Sequence, residues 1–531
     1  MRENGKMKNK WAALTFLALS VSLIVIDGTI VNVAIPVIMK ELNFKFTEAE
    51  WITTIYALVF SALLITTGRI ADHIGRKKTL IVGIAIFMAG SIFASMSTSV
   101  GMILLARVFQ GVGGAVVLPT TLSAVNSTFF GKDRIVAFAV WGSVIAGMAA
   151  LGPLLGGYLT THFNWSWIFW INLPIGIIIL IGTIIFVPET YGEPLEGSFD
   201  FVGFLLSSVG LAALVYGLIE GRSYGWLHSK KGGEVFGLSR IPFIIVGALI
   251  LLILFVVIEK SRIKKGKTYL LDISLFGIKS FTLGNIIACI VAIGEFGLLF
   301  VLPLYLQNVL AMTAMEAGKI LAFMGIGAFI SGGLASGIAK RTSPRTVASM
   351  GLFLESAGMF GFFLTIKPDI PTGVMVLWLL IYGAGLGMAS AQITSTVLRD
   401  VPTEKSGQGS ATQSTVRQMG SALGVAIVGT ILATFLSANV AGALDDFHMP
   451  PKMQKGIEQS VVESAGASIN SLRGDSQAVK HMPSEARKEI SIVLTDKFTT
   501  SATDTIGIAA ALVFVGFILT LFLPAQPKKK E

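Results

Sequence analysis

At 531 residues, a soluble chain would make about three domains, yet only 14% of this one is charged and 53% is hydrophobic, too little charge to cover such a surface. Apolar runs of about 20 residues, enough to span a bilayer, recur from end to end, so the expected fold class is an all-α polytopic membrane protein. The formal net charge of +10 does not indicate nucleic acid, because the bases sit in short loops between apolar runs, where they set topology. The single cysteine, Cys289, cannot form an intrachain disulfide and says nothing about redox compartment. The first apolar run is too long for a signal-peptide core.

Fourteen spans are expected. The first, about 11–36, holds "LIVIDGTIVNVAIP" (23–36), with Asp27 well inside it. A short Asp cannot snorkel to the surface, and an intramembrane carboxylate usually faces a cavity or a partner. An apolar surround favours its neutral form. Asp27 is therefore expected to take up and release a proton, with Asn32 beside it in a substrate cavity. The alternative is a structural ion pair, or a fixed hydrogen bond to Asn32 or a neighbouring helix. "TEAE" (47–50) then reads as a capping box opening span two, about 50–68. "GRIADHIGRKKT" follows as an inner loop. Gly68 and Gly75 permit a tight turn and close helix approach. Asp72 can accept from amides at a helix N-terminus or pair with a base. Arg76, Lys77 and Lys78 anchor the loop at the inner face.

Spans three (79–97) and four (101–126) follow, the latter with Arg107 as a deeply placed base that could attract a carboxylate or anchor helices. Span five (137–160) contains "LGPLLGGYL", where Gly152, Gly156 and Gly157 let backbones approach and Pro153 bends the helix. "FNWSWIFW" (163–170) reads as an interfacial aromatic belt before span six, 168–187. Spans seven and eight lie near 201–220 and 241–259. Span nine (279–305) carries Glu295, expected to line the substrate cavity with Asp27 and Asn32, and "TAME" (313–316) caps span ten, 314–338. Span eleven (346–366) carries Glu355, a weaker proton-coupling candidate than Glu295, and span twelve is 372–398. Span thirteen (407–437) begins with a polar face of Gln413, Arg417 and Gln418. A long polar outer loop, about 438–503, includes "IEQSVVESAGASINSL", read as a partly amphipathic helix. Span fourteen is 504–523. Lys and Arg in the short loops place both termini in the cytoplasm.

A faint internal repeat aligns Asp27 and Pro36 with Glu295 and Pro303, the two T-x-x-E signatures with each other, and "GRIADHIGRKK" with "GGLASGIAKRT". Two halves so related place a binding site between them near mid-membrane. The two extra spans at about 201–259 fit between the halves.

The G-x-x-x-D-x-x-G-R-[KR]-[KR] pattern of 68–78 resembles the signature loop of the major facilitator superfamily. "LLARVFQGVGGA" (104–115) resembles its fourth-span motif, and "LGPLLGGYL" its antiporter-associated fifth-span motif. That motif usually carries a further glycine four residues before its Gly-Pro; here Met148 stands there and Gly147 is displaced by one. "DGTIVNVAIP" and "TVRQMGSALGVAI" (415–427) resemble stretches of the superfamily's fourteen-helix drug:proton antiporter family.

The resemblance implies a major facilitator fold: a six-helix bundle at 1–187, a two-helix insertion and cytoplasmic linker at 188–272, and a second six-helix bundle at 273–531. It implies alternating access, with Asp27, Glu295, Arg107 and Glu355 in proton coupling and the 68–78 loop as a conformational latch between the halves. No GxxxxGK[ST] loop, H-E-x-x-H or zinc spacing occurs, so neither an ATP-driven pump nor a metalloenzyme is expected, and no catalytic residue, metal or cofactor. The expected partners are a proton, a small lipophilic and cationic substrate, and the bilayer. A monomer in a bacterial cytoplasmic membrane is expected. Export of a lipid or an endogenous metabolite on the same fold is the alternative, ahead of a nutrient symporter or a membrane sensor.

Overall fold

A computed structural model of the chain describes residues 10–129, 131–191, 200–229, 234–402, 405–445, 447, 449–473 and 484–524. Among these residues the fold is helical, with an isolated bridge between Val235 and Leu238. The first half comprises α1 (Lys10–Leu42), α2 (Phe46–Ile74), α3 (Arg76–Ser95), α4 (Val100–Thr128), α5 (Gly131–His162), the one-turn α6 (Trp167–Trp170) and α7 (Asn172–Phe186). A hairpin of α8 (Phe201–Tyr224) and α9 (Arg240–Lys264) follows. The second half comprises α10 (Lys279–Leu304), α11 (Ala314–Arg341), α12 (Pro344–Thr365), α13 (Thr372–Leu398), α14 (Ser406–Asp445), α15 (Pro451–Glu463), α16 (Ala467–Arg473) and α17 (Ser484–Thr520).

Twelve helical segments among the described residues are long and apolar enough to cross a membrane. The two other expected spans are α2 and α5, of 29 and 32 residues. These two pack against the opposite half, α2 on α14 and α5 on α11.

The helix starts follow local chemistry. Thr313 accepts from the Glu316 amide at 3.2 Å while Glu316 accepts from the Thr313 amide at 2.8 Å, the capping box expected there. The matching expectation at 47–50 is corrected. The helix begins at Phe46, and Glu48, not Glu50, accepts from the Lys45 amide at 2.7 Å. Phe46 is buried and meets Phe300 of the other half with ring centroids 5.6 Å apart, which draws the helix start back and turns Glu50 inward against Gly429 of α14.

The outer loop is largely helical. α14 and α17, of 40 and 37 residues, run past the expected membrane boundaries, and α15 and α16 pack beside them. The amphipathic stretch is two helices because the chain turns at Ala465 and Gly466, both with positive φ. A side chain at Gly466 would also meet the Phe498 ring. The Asn308 amide donates to the Ala465 carbonyl at 2.8 Å, tying this layer to a π-helical turn, Tyr305–Val309, that ends α10.

The helices alternate in direction, so α1 begins and α17 ends at the same end of the bundle. Among the described residues, hydrogen bonds joining the halves cluster at the far end: Gln307 donates to the Val33 carbonyl at 2.8 Å, and the Met315 amide to Thr161 at 3.0 Å. At the terminus-bearing end, ion pairs tie helices within one half or to the linker, as in Lys10–Asp133 at 2.5 Å and Lys405–Asp272 at 2.7 Å. The α8–α9 hairpin rests on the flank, where Trp51 donates to Glu220 at 3.2 Å and Thr430 to the Leu218 carbonyl at 3.0 Å.

Candidate functional site: a buried charge cluster in each half

Asp27 sits on α1 in a closed polar network. Arg107 on α4 approaches its Oδ2 at 2.5 Å. Gln110, one turn further along α4, donates to Oδ1 at 2.8 Å, and Asn172 at the start of α7 donates to the same oxygen at 2.9 Å. Both amides also reach Ser91 on α3, at 2.9 and 3.2 Å. Arg107 is completed by the Ile52 carbonyl at 3.1 Å and the Gln110 carbonyl oxygen at 2.8 Å, with the Tyr56 ring centroid 4.2 Å from its guanidinium carbon. All these side chains are buried. The cluster can hold a charge inside a bilayer because the carboxylate is met by one cation and two amide donors. Asn32 is not part of it; its amide turns back to the Gly28 carbonyl of its own helix at 3.3 Å.

The second cluster is looser. Glu295 on α10 pairs with Arg417 on α14 at 3.2 Å, the Arg417 side chain being 41% exposed. Gln413 donates to Thr394 at 3.1 Å, and Gln418 accepts from Ser421 at 3.2 Å, so the polar face of span thirteen is shared among neighbours. Glu355 on α12 is 0% exposed, and among the described residues neither of its carboxyl oxygens meets a hydrogen-bond partner; nor does the hydroxyl of buried Tyr382 on α13.

A family model for the Major Facilitator Superfamily matches residues 17–425. The chain belongs to that superfamily. It is 29% identical over 504 residues to the multidrug efflux pump LfrA of Mycolicibacterium smegmatis, covering 95% of this chain and 94% of that one. It is 28% identical over 433 residues to the riboflavin transporter RibZ of Clostridioides difficile, covering 82% and 90%. Among solved structures, an inward-facing bacterial homologue of the human lysosomal transporter Spinster aligns over 98% of this chain and 100% of its own, with TM-score 0.63 and 17% identity, a likeness of fold.

The superfamily's signature loop is fastened within the first half. Gly75 takes φ 117°, and the amides that open α3 then point at Glu189: Lys77 N–H to Oε1 at 2.9 Å and Lys78 N–H to Oε2 at 3.3 Å. A carboxylate there meets free amides and the positive end of the helix dipole. The Arg76 amide donates to the Thr190 carbonyl at 2.9 Å, and Lys77 Nζ to the Ile184 carbonyl at 2.6 Å. Gly68 packs on Pro119 of α4, and the Asp72 side chain lies outside the described residues.

The fifth-span motif seats two partners at once. Gly152 and Gly156 face Thr29 and Ile30 of α1, whereas Gly157 faces the backbone of Ala314 and Met315 on α11; Gly318 in turn faces the Pro153 carbonyl. Met148 packs on the core, while the Gly147 Cα environment lies outside the described residues. Sequence reasoning missed Gln110, Asn172, Tyr56, Glu189 and Tyr382. Gln110 had a usable signal, an amide three residues after Arg107 in an apolar helix; Glu189, beyond its span, had none.

Proposed function

We propose that this transporter exports lipophilic cations in exchange for protons, by alternating access between its two halves. What carries the reading is a carboxylate–arginine pair inside each half, Asp27–Arg107 and Glu295–Arg417. Ionisable groups at membrane depth are costly and mark ion and substrate pathways, and one proton crossing is worth about 2.3 kcal/mol per 100 mV. Glu295 and Arg417 hold each other loosely enough for a cation to compete for the carboxylate. A cation with an apolar body loses little hydration on leaving water, and Glu295 would supply its countercharge. The relative named as a multidrug efflux pump supports drug export.

The reading includes fourteen spans, with α2 and α5 among them, both termini in the cytoplasm of a bacterial cell, and a monomeric working unit. The packed far end is then the outer face, and the conformation is inward-facing. In the outward-facing state, Asp72 and the Arg76–Lys78 segment would latch onto the second half.

Reconstitution into proteoliposomes with an imposed pH gradient and ethidium as cargo tests the reading. Uphill ethidium movement that collapses with an uncoupler is expected; movement indifferent to the gradient removes proton exchange. A second reading, export of an endogenous metabolite, is favoured by the relative named as a riboflavin transporter. It would show as gradient-linked riboflavin flux without movement of any cation.

A further inference from the structure

The internal repeat is visible in how glycines seat their neighbours. In the first half, Gly113 on α4 lies against the Phe87 amide and the Gly83 carbonyl of α3, and Gly90 on α3 lies against the Gln110 amide. In the second half, Gly385 on α13 lies against the Glu355 amide and the Gly351 carbonyl of α12, and Gly358 on α12 lies against the Tyr382 amide. By this correspondence Glu355 stands where the first half has the Phe87 ring, and Tyr382 where it has Gln110. The second half has placed an acid in a position built for an apolar side chain.

The two buried acids differ in their surroundings. Asp27 has its charge matched by Arg107, Gln110 and Asn172. Glu355 is equally buried, yet among the described residues neither oxygen has a donor. Ionising a carboxyl so placed is costly, because no donor among the described residues meets the charge. The charged groups that act on it across α10 and α14 are Glu295 and Arg417, and Tyr382 on α13 feels the same two. Arg417 is engaged with Glu295 in the conformation seen.

We propose that Glu355 is the residue that carries the exchanged proton, with Arg417 as the cation that displaces it and Tyr382 as a neighbouring hydroxyl that solvates the carboxylate once formed. This rests on the exchange reading above. When a cationic substrate takes Glu295, Arg417 is released and turns to Glu355. The Glu355 O–H bond breaks, the proton leaves to water on the substrate's entry side, and the carboxylate pairs with Arg417. After the substrate departs on the far side, Arg417 returns to Glu295 and Glu355 takes a proton from that side. No electrons change hands, and one proton in accompanies one displacement of the pair. The Asp27–Arg107 pair keeps its charges matched through the cycle and does not itself release the proton in this scheme.

The experiment uses the full-length protein with ethidium as the probe. Infrared difference spectra on ethidium binding should show loss of a protonated-carboxyl carbonyl band, matched by proton release into weakly buffered detergent solution. Glu355→Gln should remove both signals, and Glu355→Asp should keep proton release while shifting the band. Tyr382→Phe should weaken proton release without moving the band to another residue. Proton release surviving in Glu355→Gln at the wild-type level, or a band that vanishes instead in Asp27→Asn, overturns the proposal. If Glu355→Gln does not fold, the band shift in Glu355→Asp decides: an unshifted band overturns the proposal. Should wild-type vesicles show no gradient-linked ethidium movement while the purified protein still releases the Glu355 proton on binding, it is the exchange reading that fails and not the assignment of the proton.

Discussion

Asp27 and Glu355 make opposite demands on a substitution, although both are buried acids on membrane helices. Removing the Asp27 charge strands Arg107, which is 1% exposed and whose charge Asp27 meets at 2.5 Å. Breaking one side of a buried pair typically costs about 3–5 kcal/mol. Asp27→Asn should therefore lower the detergent unfolding temperature, and adding Arg107→Gln should recover part of the loss. A double variant no better than the single one would show that the pair is not what Asp27 supports. If Glu355 is the neutral acid of the proposal, Glu355→Gln exchanges it for a neutral amide of similar shape and should leave the same melting temperature nearly unchanged. At this scale the sequence was a partial guide. Asp27, Arg107, Glu295 and Glu355 each announced themselves as charges in apolar runs. Their partners did not, because Asn172 reaches Asp27 from 145 residues away and no local pattern encodes that meeting.

Helix ends carry a second set of consequences. Thr313→Ala removes one side of the α11 capping box and should cost about 0.5–2 kcal/mol, read as a shift in thermal unfolding. Thr47→Ala should do nothing comparable, since the α2 cap is made by Glu48 and Lys45.

The linker that leads into the second half is clasped to the start of α14 by Asp272 and Lys405. Burial pushes the Asp272 pKa up, but hydrogen bonds from Lys405 and Ser274 outweigh it and hold the pKa below the usual Asp range. The hydrogen bond to Asp272 raises that of Lys405. The depressed Asp contributes stability above its unfolded value, lost as pH falls through the folded one. The raised Lys contributes below its unfolded value, lost as pH rises through the folded one. Asp272→Asn should thus melt lower than wild type at neutral pH, with the difference closing as pH falls below about 4. A gap that is independent of pH would show that the clasp is not electrostatic.

For the whole molecule, the far end is closed by backbones in near contact. A Cβ on Gly318 would meet the Pro153 carbonyl, and Gly157 meets the backbone of Ala314. Gly318→Val should push α5 from α11 and favour opening at that end. Spin labels on exposed Lys40 of α1 and Lys367 after α12 should then report a longer mean distance. An unchanged distribution would mean that the seam tolerates the side chain and does not set the conformational balance.

The sequence by itself determined that this is a multi-pass helical membrane protein of the Major Facilitator Superfamily. Hydropathy depends on composition along the chain, and the signature loop is contiguous, so both can be read one residue after another. The repeat, too, was legible in the spacing of acids, prolines and glycines. Tertiary structure decided which acid meets donors and which, among the described residues, meets none, because a helix of 3.6 residues per turn gives each side chain a direction but not a neighbour. It decided that Glu48 caps α2 while Glu50 faces Gly429, since the burial of Phe46 against Phe300 outweighs a local capping pattern. It also decided that the signature loop fastens to Glu189, a residue whose role exists only once α7 has folded back beside α3.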